Sequence, residues 1–172
     1  AEVAAAANVS EKTVFNYFAT KEDLVLEGRE RIDAELIRAV RERAPEESVL
    51  AAVRRHTLAV AERMSALPAS RRAAFRTILQ SSPTVYARLR QMSRQYEEQL
   101  EHILRQDMAS QDSDPIPRVV ASVIGVLTRL AFGMTGWPDG KQRSYAQTVA
   151  SIDAAFDLFE RGLAAYGVRK KR

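Results

Sequence analysis

Residues 3–24, VAAAANVSEKTVFNYFATKEDL, decide the fold. Two short helical segments, 2–7 and 11–18, flank a tight turn. Ala4 is small enough to let a second helix cross close to it. Asn8 stands four residues later, where the turn needs a positive φ, and Asn tolerates that conformation better than most residues other than glycine. Ser10 is placed to cap the next helix through its hydroxyl. Val14 and Phe18, four apart, share an inward face. A small residue, a turn residue, a cap and an apolar anchor at these separations describe a helix-turn-helix. In such a unit the second helix enters the major groove and the first braces it.

Working outward, Thr20 opens a long helix over 20–43, with Leu24, Ile32, Leu36 and Val40 at about helical spacing. Thr20 and Asp23 resemble a capping box with Asp in place of Glu. Pro45 ends that helix or starts the next, whose first turn is expected to hold Glu46 and Glu47. Val49, Val53, Val60 and Met64 carry a helix towards Pro68, and a shorter one spans 70–80. Ser82-Pro83 is a cap followed by proline at the first helical position. Val85, Leu89, Met92, Tyr96, Leu100, Ile103 and Leu104 then mark one face of a helix that fades near Ala109. Asp114-Pro115 repeats the start signal. The helix over 119–134 is apolar nearly all round and must be covered on several sides. A break at 136–140 precedes a last helix over 144–166, and 169–172 form a basic tail. The fold class is therefore all-α: a helix-turn-helix unit with its connecting helix over 1–44, and a larger helical domain over 45–172.

Composition narrows the function. The chain lacks cysteine, which removes disulfides, thiolate metal sites and cysteine nucleophiles. Neither histidine, His56 or His102, lies in a known catalytic motif. There is no glycine-rich phosphate loop, Gly-x-Ser-x-Gly or His-Glu-x-x-His. An enzyme, a metal centre and a cofactor are not expected. No apolar run is long enough for a membrane span and no signal peptide is visible, so a cytoplasmic chain is expected. The net charge of +4 is compatible with nucleic acid without requiring it.

The pattern Val3-Ala4-x-x-Ala7-Asn8-Val9-Ser10-x-x-Thr13-Val14-Phe15-x-Tyr17-Phe18-x-x-Lys21-Glu22-Asp23-Leu24 resembles the DNA-binding signature of the TetR family. The Tyr-Phe-x-x-Lys-Glu-x-Leu continuation is more specific than a bare helix-turn-helix. Asn8 replaces the family's usual glycine. Phe15 replaces the usual tyrosine, with loss of a phenolic hydroxyl. The family has a further helix before this unit, so the chain is expected to begin inside the DNA-binding domain. The resemblance implies that Glu11, Lys12 and Phe15 face base edges: lysine donates to guanine, glutamate accepts from cytosine, a ring touches a thymine methyl. It implies that Thr13, Asn16, Tyr17 and Lys21 hold phosphates. The plain alternatives are a packed Phe15, a Glu11 that serves only its own helix, a Tyr17 that only packs, and an ordinary surface Lys21.

The resemblance also implies a homodimer joined by the last two helices, a pseudo-palindromic operator in double-stranded DNA, and a repressor released by a small apolar or amphipathic effector. Candidate pocket residues are His56, Met64, Phe75, Tyr86, Met92, Tyr96, Phe132 and Trp137, each with ordinary core or interface packing as its alternative. His56 and Tyr96 stand out, because each brings a polar group to an apolar face. Competing readings keep the fold but make the protein an activator, or a regulator without a ligand, or a helical protein–protein adaptor.

Overall fold

The computed structural model describes residues 1–132 and 143–162. Among them are eight α-helices, one 3-10 turn and no strand: α1 (Glu2–Ala6), α2 (Glu11–Tyr17), α3 (Lys21–Arg41), α4 (Val49–Ser65), α5 (Ala69–Ser81), α6 (Pro83–Asp107), α7 (Ile116–Arg129), the 3-10 turn (Leu130–Phe132) and α8 (Tyr145–Glu160).

The helix starts follow local chemistry. Ser10, Ser48, Ser82 and Ser144 each accept a backbone N–H of the helix they precede. Thr20 and Asp23 form a complete capping box: the Thr20 N–H donates to the Asp23 carboxylate at 3.1 Å, and the Asp23 N–H donates to the Thr20 hydroxyl at 3.2 Å. Asn8 has φ +53°, the left-handed conformation expected of the turn between α1 and α2.

Some boundaries differ from expectation. Glu46 and Glu47 precede α4, because Ser48 captures the Ala51 N–H at 3.1 Å and sets the start. Pro45 lies in the connection and belongs to neither helix. Glu47 instead pairs with Arg55 at 3.1 Å. The helix expected over 119–134 starts earlier, at Ile116, because the Asp114 carboxylate accepts the Ile116 N–H at 2.9 Å. It gives way to the 3-10 turn after Arg129. Residues 133–142 and 163–172 lie outside the described residues. They include Trp137, the far ends expected for the last two helices, and the basic tail.

Two apolar clusters hold the chain together. The larger joins Leu36 and Val40 of α3, Val53 and Val60 of α4, Tyr96 and Leu100 of α6, Ile124 and Leu127 of α7, and Ile152 and Phe156 of α8. The smaller joins Leu26 of α3 to Val85, Leu89 and Met92 of α6, with Phe75 and Leu79 of α5 against it. The Glu97 side chain of α6 lies over Gly125 of α7, where a Cβ would stand 2.5 Å from its carboxylate and would push it aside. Arg54 fastens α4 to α8 through Asp153 at 2.7 Å and Asp157 at 3.0 Å. The connecting helix α3 runs from the helix-turn-helix into the larger cluster.

Candidate nucleic-acid interface

Helices α1 and α2 pack on each other around Ala4, which is buried. Val14 and Phe18 are half-buried on the inner side of α2. Its outer side is a different surface. Glu11, Lys12 and Asn16 are exposed, Phe15 is 67% exposed and Tyr17 is 80% exposed. Two aromatic rings held in water by one seven-residue helix oppose the hydrophobic effect unless a partner covers them. The packed-core alternative for Phe15 and Tyr17 is thus disfavoured by their position. Phe15 also borders a shallow apolar hollow of about 160 Å³ lined by Val3, Val14, Phe18 and Leu24.

Thr13 is placed differently from its neighbours. Its hydroxyl lies 2.8 Å from that of Ser10, and its N–H donates to the same oxygen at 3.0 Å. It completes the cap of α2, and its hydroxyl must share that bond if it also meets a phosphate. Lys21 is exposed at the first position of α3. The two carboxylates that follow it are drawn towards the body. Glu22 accepts the Thr84 hydroxyl at 2.9 Å, and Asp23 pairs with Arg88 at 3.1 Å, both across to α6. Bonding to its own backbone N–H, then to Thr84, holds the Glu22 carboxyl below the usual range. Bonding to Thr20, then to Arg88, does the same for Asp23.

Residues 1–24 carry two lysines against four carboxylates, Glu2, Glu11, Glu22 and Asp23. The unit therefore has little of the generalised positive field of many DNA-binding surfaces. Its chemistry is local: one lysine and one carboxylate on the exposed side of α2, one aromatic face, and one lysine at a helix N-terminus where backbone N–H groups also favour an anion.

The other candidate residues do not converge on one pocket. His56 is buried on α4 with Nε2 unpartnered, beside Ile32 and Glu35 of α3. Burial pushes its pKa down to about 4, so the ring is neutral near pH 7. Tyr96 is buried on α6 with its hydroxyl unpartnered, beside Arg29 and Asp33 on another side of α3. Burial raises its pKa and keeps it neutral. Met64 is half-buried against the larger cluster. Met92 lies in the smaller cluster and Phe75 packs against it. Tyr86, named as a pocket candidate, is 51% exposed: it falls one residue past Val85 and leaves the buried stripe of α6. Phe132 is half-buried on the 3-10 turn. Among the described residues no cluster of histidine and carboxylate groups fits a metal ion, and no helix is long and apolar enough to cross a membrane.

The chain has no significant match among curated proteins. Residues 1–27 match the family model described as bacterial regulatory proteins, tetR family. That match covers α1, the Asn8 turn, α2 and the start of α3, the same residues that build the exposed aromatic and lysine surface. In sequence and in its helix-turn-helix arrangement, this N-terminal segment is similar to the DNA-binding unit of bacterial regulatory proteins of the tetR family.

Proposed function

We propose that the protein is a homodimeric repressor that reads a pseudo-palindromic operator with α2 and leaves it when a small molecule binds the helical body. The observation that carries the reading is the water-facing side of α2, where Phe15 and Tyr17 are exposed beside Glu11, Lys12 and Asn16. Lys12, Glu11 and Phe15 serve base edges. Asn16, Tyr17, Lys21 and the shared hydroxyl of Thr13 serve phosphates. Residues 1–44 act as the DNA-binding unit with its connecting helix, and residues 45–172 as the effector and dimer domain. A cytoplasmic location follows from that role.

Helices α7 and α8 supply the dimer surface. Ile116, Val119 and Val126 are each about half exposed and share one face of α7. On α8, Ala146, Ala150 and Ala154 form an exposed row of small residues, which permits close approach of a second helix. Two such helices from each of two copies make a four-helix bundle. A twofold axis then sets two recognition helices one helical turn of DNA apart, about 34–36 Å, or a related spacing. Release requires an effector that prefers one state, and coupling of this kind is typically about 1–3 kcal/mol.

Lys21→Ala tests the phosphate assignment. It is expected to weaken binding to every duplex alike and to reduce the steepness of log K against log[salt] by about one unit. Unchanged affinity and slope across a salt titration would remove Lys21 from the interface.

A further inference from the structure

Charge is segregated along the chain. From Met64 to Tyr96, across α5 and the first half of α6, there are six arginines and no aspartate, glutamate, lysine or histidine. The whole chain has 26 basic and 22 acidic side chains, so the remainder is net acidic. Two of the six are used within the fold. Arg72 donates to the Ser65 carbonyl at the end of α4 at 2.7 Å, and Arg88 pairs with Asp23 at 3.1 Å. Among the described residues, Arg71, Arg76, Arg90 and Arg94 have no carboxylate partner. Arginines elsewhere in the body do: Arg43, Arg54, Arg105 and Arg118 each meet one at 2.7–3.0 Å. Tyr86, Arg90 and Arg94 are exposed and four residues apart, so they share one stripe of α6.

The isolated chain gains nothing from this arrangement. Arg72 and Arg76, and again Arg90 and Arg94, are like charges at (i, i+4), which weakens a helix. The stripe suits a polyanion: guanidinium forks match phosphate oxygens, and a tyrosine hydroxyl donates to them. Its position says which polyanion. Helices α3 and α6 run side by side in one direction, with Leu26 against Val85 and Leu89 near their starts and Arg43 paired with Asp107 beyond α3 and at the end of α6. The start of α6 is therefore level with Lys21, where Thr84 donates to Glu22 at 2.9 Å. At about 1.5 Å per residue, Arg90 and Arg94 stand about 10 and 16 Å further along the body. The recognition unit itself, with two lysines against four carboxylates, lacks the positive field that draws a protein to DNA.

Resting on the reading that α2 enters the major groove, we propose that Tyr86, Arg90 and Arg94, with Arg76 of α5, form a second nucleic-acid surface that holds the phosphates of duplex DNA flanking the half-site. Helix α2 supplies sequence preference, and the stripe supplies the backbone attraction that residues 1–24 lack. Phosphate contacts carry no sequence information, so flanks of any sequence serve. Duplex that continues past the half-site meets Arg90 first, and reaches Arg94 when it bends towards the body. An acidic polypeptide would match the charge, but it gains nothing from the place of the stripe beside Lys21.

Hydroxyl-radical footprinting and salt titration test the surface, on an operator selected from a random pool. The duplex is either cut to its core or extended by about 10 base pairs, one helical turn, on each side. The α6 variant, Arg90→Gln with Arg94→Gln, is compared with the wild type. The control is Arg55→Gln with Arg63→Gln, which removes equal charge from α4 at two exposed arginines. The wild type should protect both core and flanks, and bind the extended duplex roughly tenfold more tightly than the core. The α6 variant should keep its Tm and its core footprint. It should lose the flanking protection and the gain from extension, and its slope of log K against log[salt] should fall by about two units per protomer. The α4 variant should match the wild type. Flanking protection that survives in the α6 variant, is missing from the wild type, or is lost equally in the α4 variant would overturn the proposal. Binding of poly-glutamate that depends on Arg90 and Arg94, while the DNA footprints of wild type and α6 variant coincide, would overturn it too and assign the stripe to an acidic protein. Failure to select any operator would instead overturn the reading of α2. A random-sequence duplex then decides the stripe, and equal affinity of wild type and α6 variant for it would overturn that as well.

Discussion

Val119→Asp combined with Val126→Asp should convert a dimer into a folded monomer. Both side chains face water on α7, at 55% and 46% exposure, so neither substitution buries a charge within one chain. Helical content should therefore stay at the wild-type level. In a dimer the same two positions would place four carboxylates in a desolvated bundle, which like-charge repulsion and lost solvation forbid. The consequence for DNA is larger than that for stability. A dimer that holds one half-site presents the second recognition helix at a high effective concentration, and loss of the link typically lowers affinity by about 10²–10⁴-fold. Sedimentation at micromolar concentration, paired with an operator titration, reads both effects. A doubly substituted protein that remains dimeric would show that another surface joins the copies.

Phe156→Ala should produce the largest loss of stability. Phe156 is fully buried in the larger cluster, on the side of α8 that packs against α4. Truncating a core Phe costs about 3–5 kcal/mol, through lost transfer energy and the cavity left behind. For a chain of this size that corresponds to a fall in Tm of roughly 10 °C. Arg54 still clamps α8 through Asp153 and Asp157, so the cavity will not simply close by helix movement. Urea unfolding with an unchanged m-value checks the figure. A loss below about 1 kcal/mol would mean that α8 packs more loosely than the structure shows.

The legible parts of the fold were those written in local chemistry. Asn8 announced the left-handed turn, Ser10 the cap of α2, Thr20 with Asp23 the capping box, and Ser82-Pro83 the start of α6. Each signal lies within four residues of the feature it sets. The boundary at Glu46 and Glu47 was misread because two adjacent acids before a helix look like its first turn, while the neighbouring serine is what fixes the start. The positive φ of Ala109 carries no residue signal, since the tertiary fold imposes on alanine a conformation that glycine or asparagine usually supplies. The expected fading of α6 near that residue agrees with its C-terminus at Asp107.

The site was legible unevenly for the same reason. Residues of α2 are close in sequence and share one short helix, so a local pattern placed them together. The pocket candidates come from helices far apart in the chain, and periodicity says only which face is buried. Thus His56 and Tyr96 were singled out as polar groups on apolar faces, yet they lie against different sides of α3. Arg29 and Asp33 gave no warning at all, because an (i, i+4) ion pair is the ordinary pattern of a solvated helix face. Only the tertiary packing reveals that this pair is inside.

The most direct test of the central claim, that α2 reads DNA, is selection of bound duplexes from a random pool by the full-length protein, in parallel with Lys12→Ala. The expected result is an enriched pseudo-palindrome with the wild type. With Lys12→Ala the half-site spacing should persist while base preference relaxes at one symmetry-related position, at a cost of about 1–3 kcal/mol for the preferred base. A pool with no enriched sequence, or a Lys12→Ala pool identical to that of the wild type at every position, would contradict it.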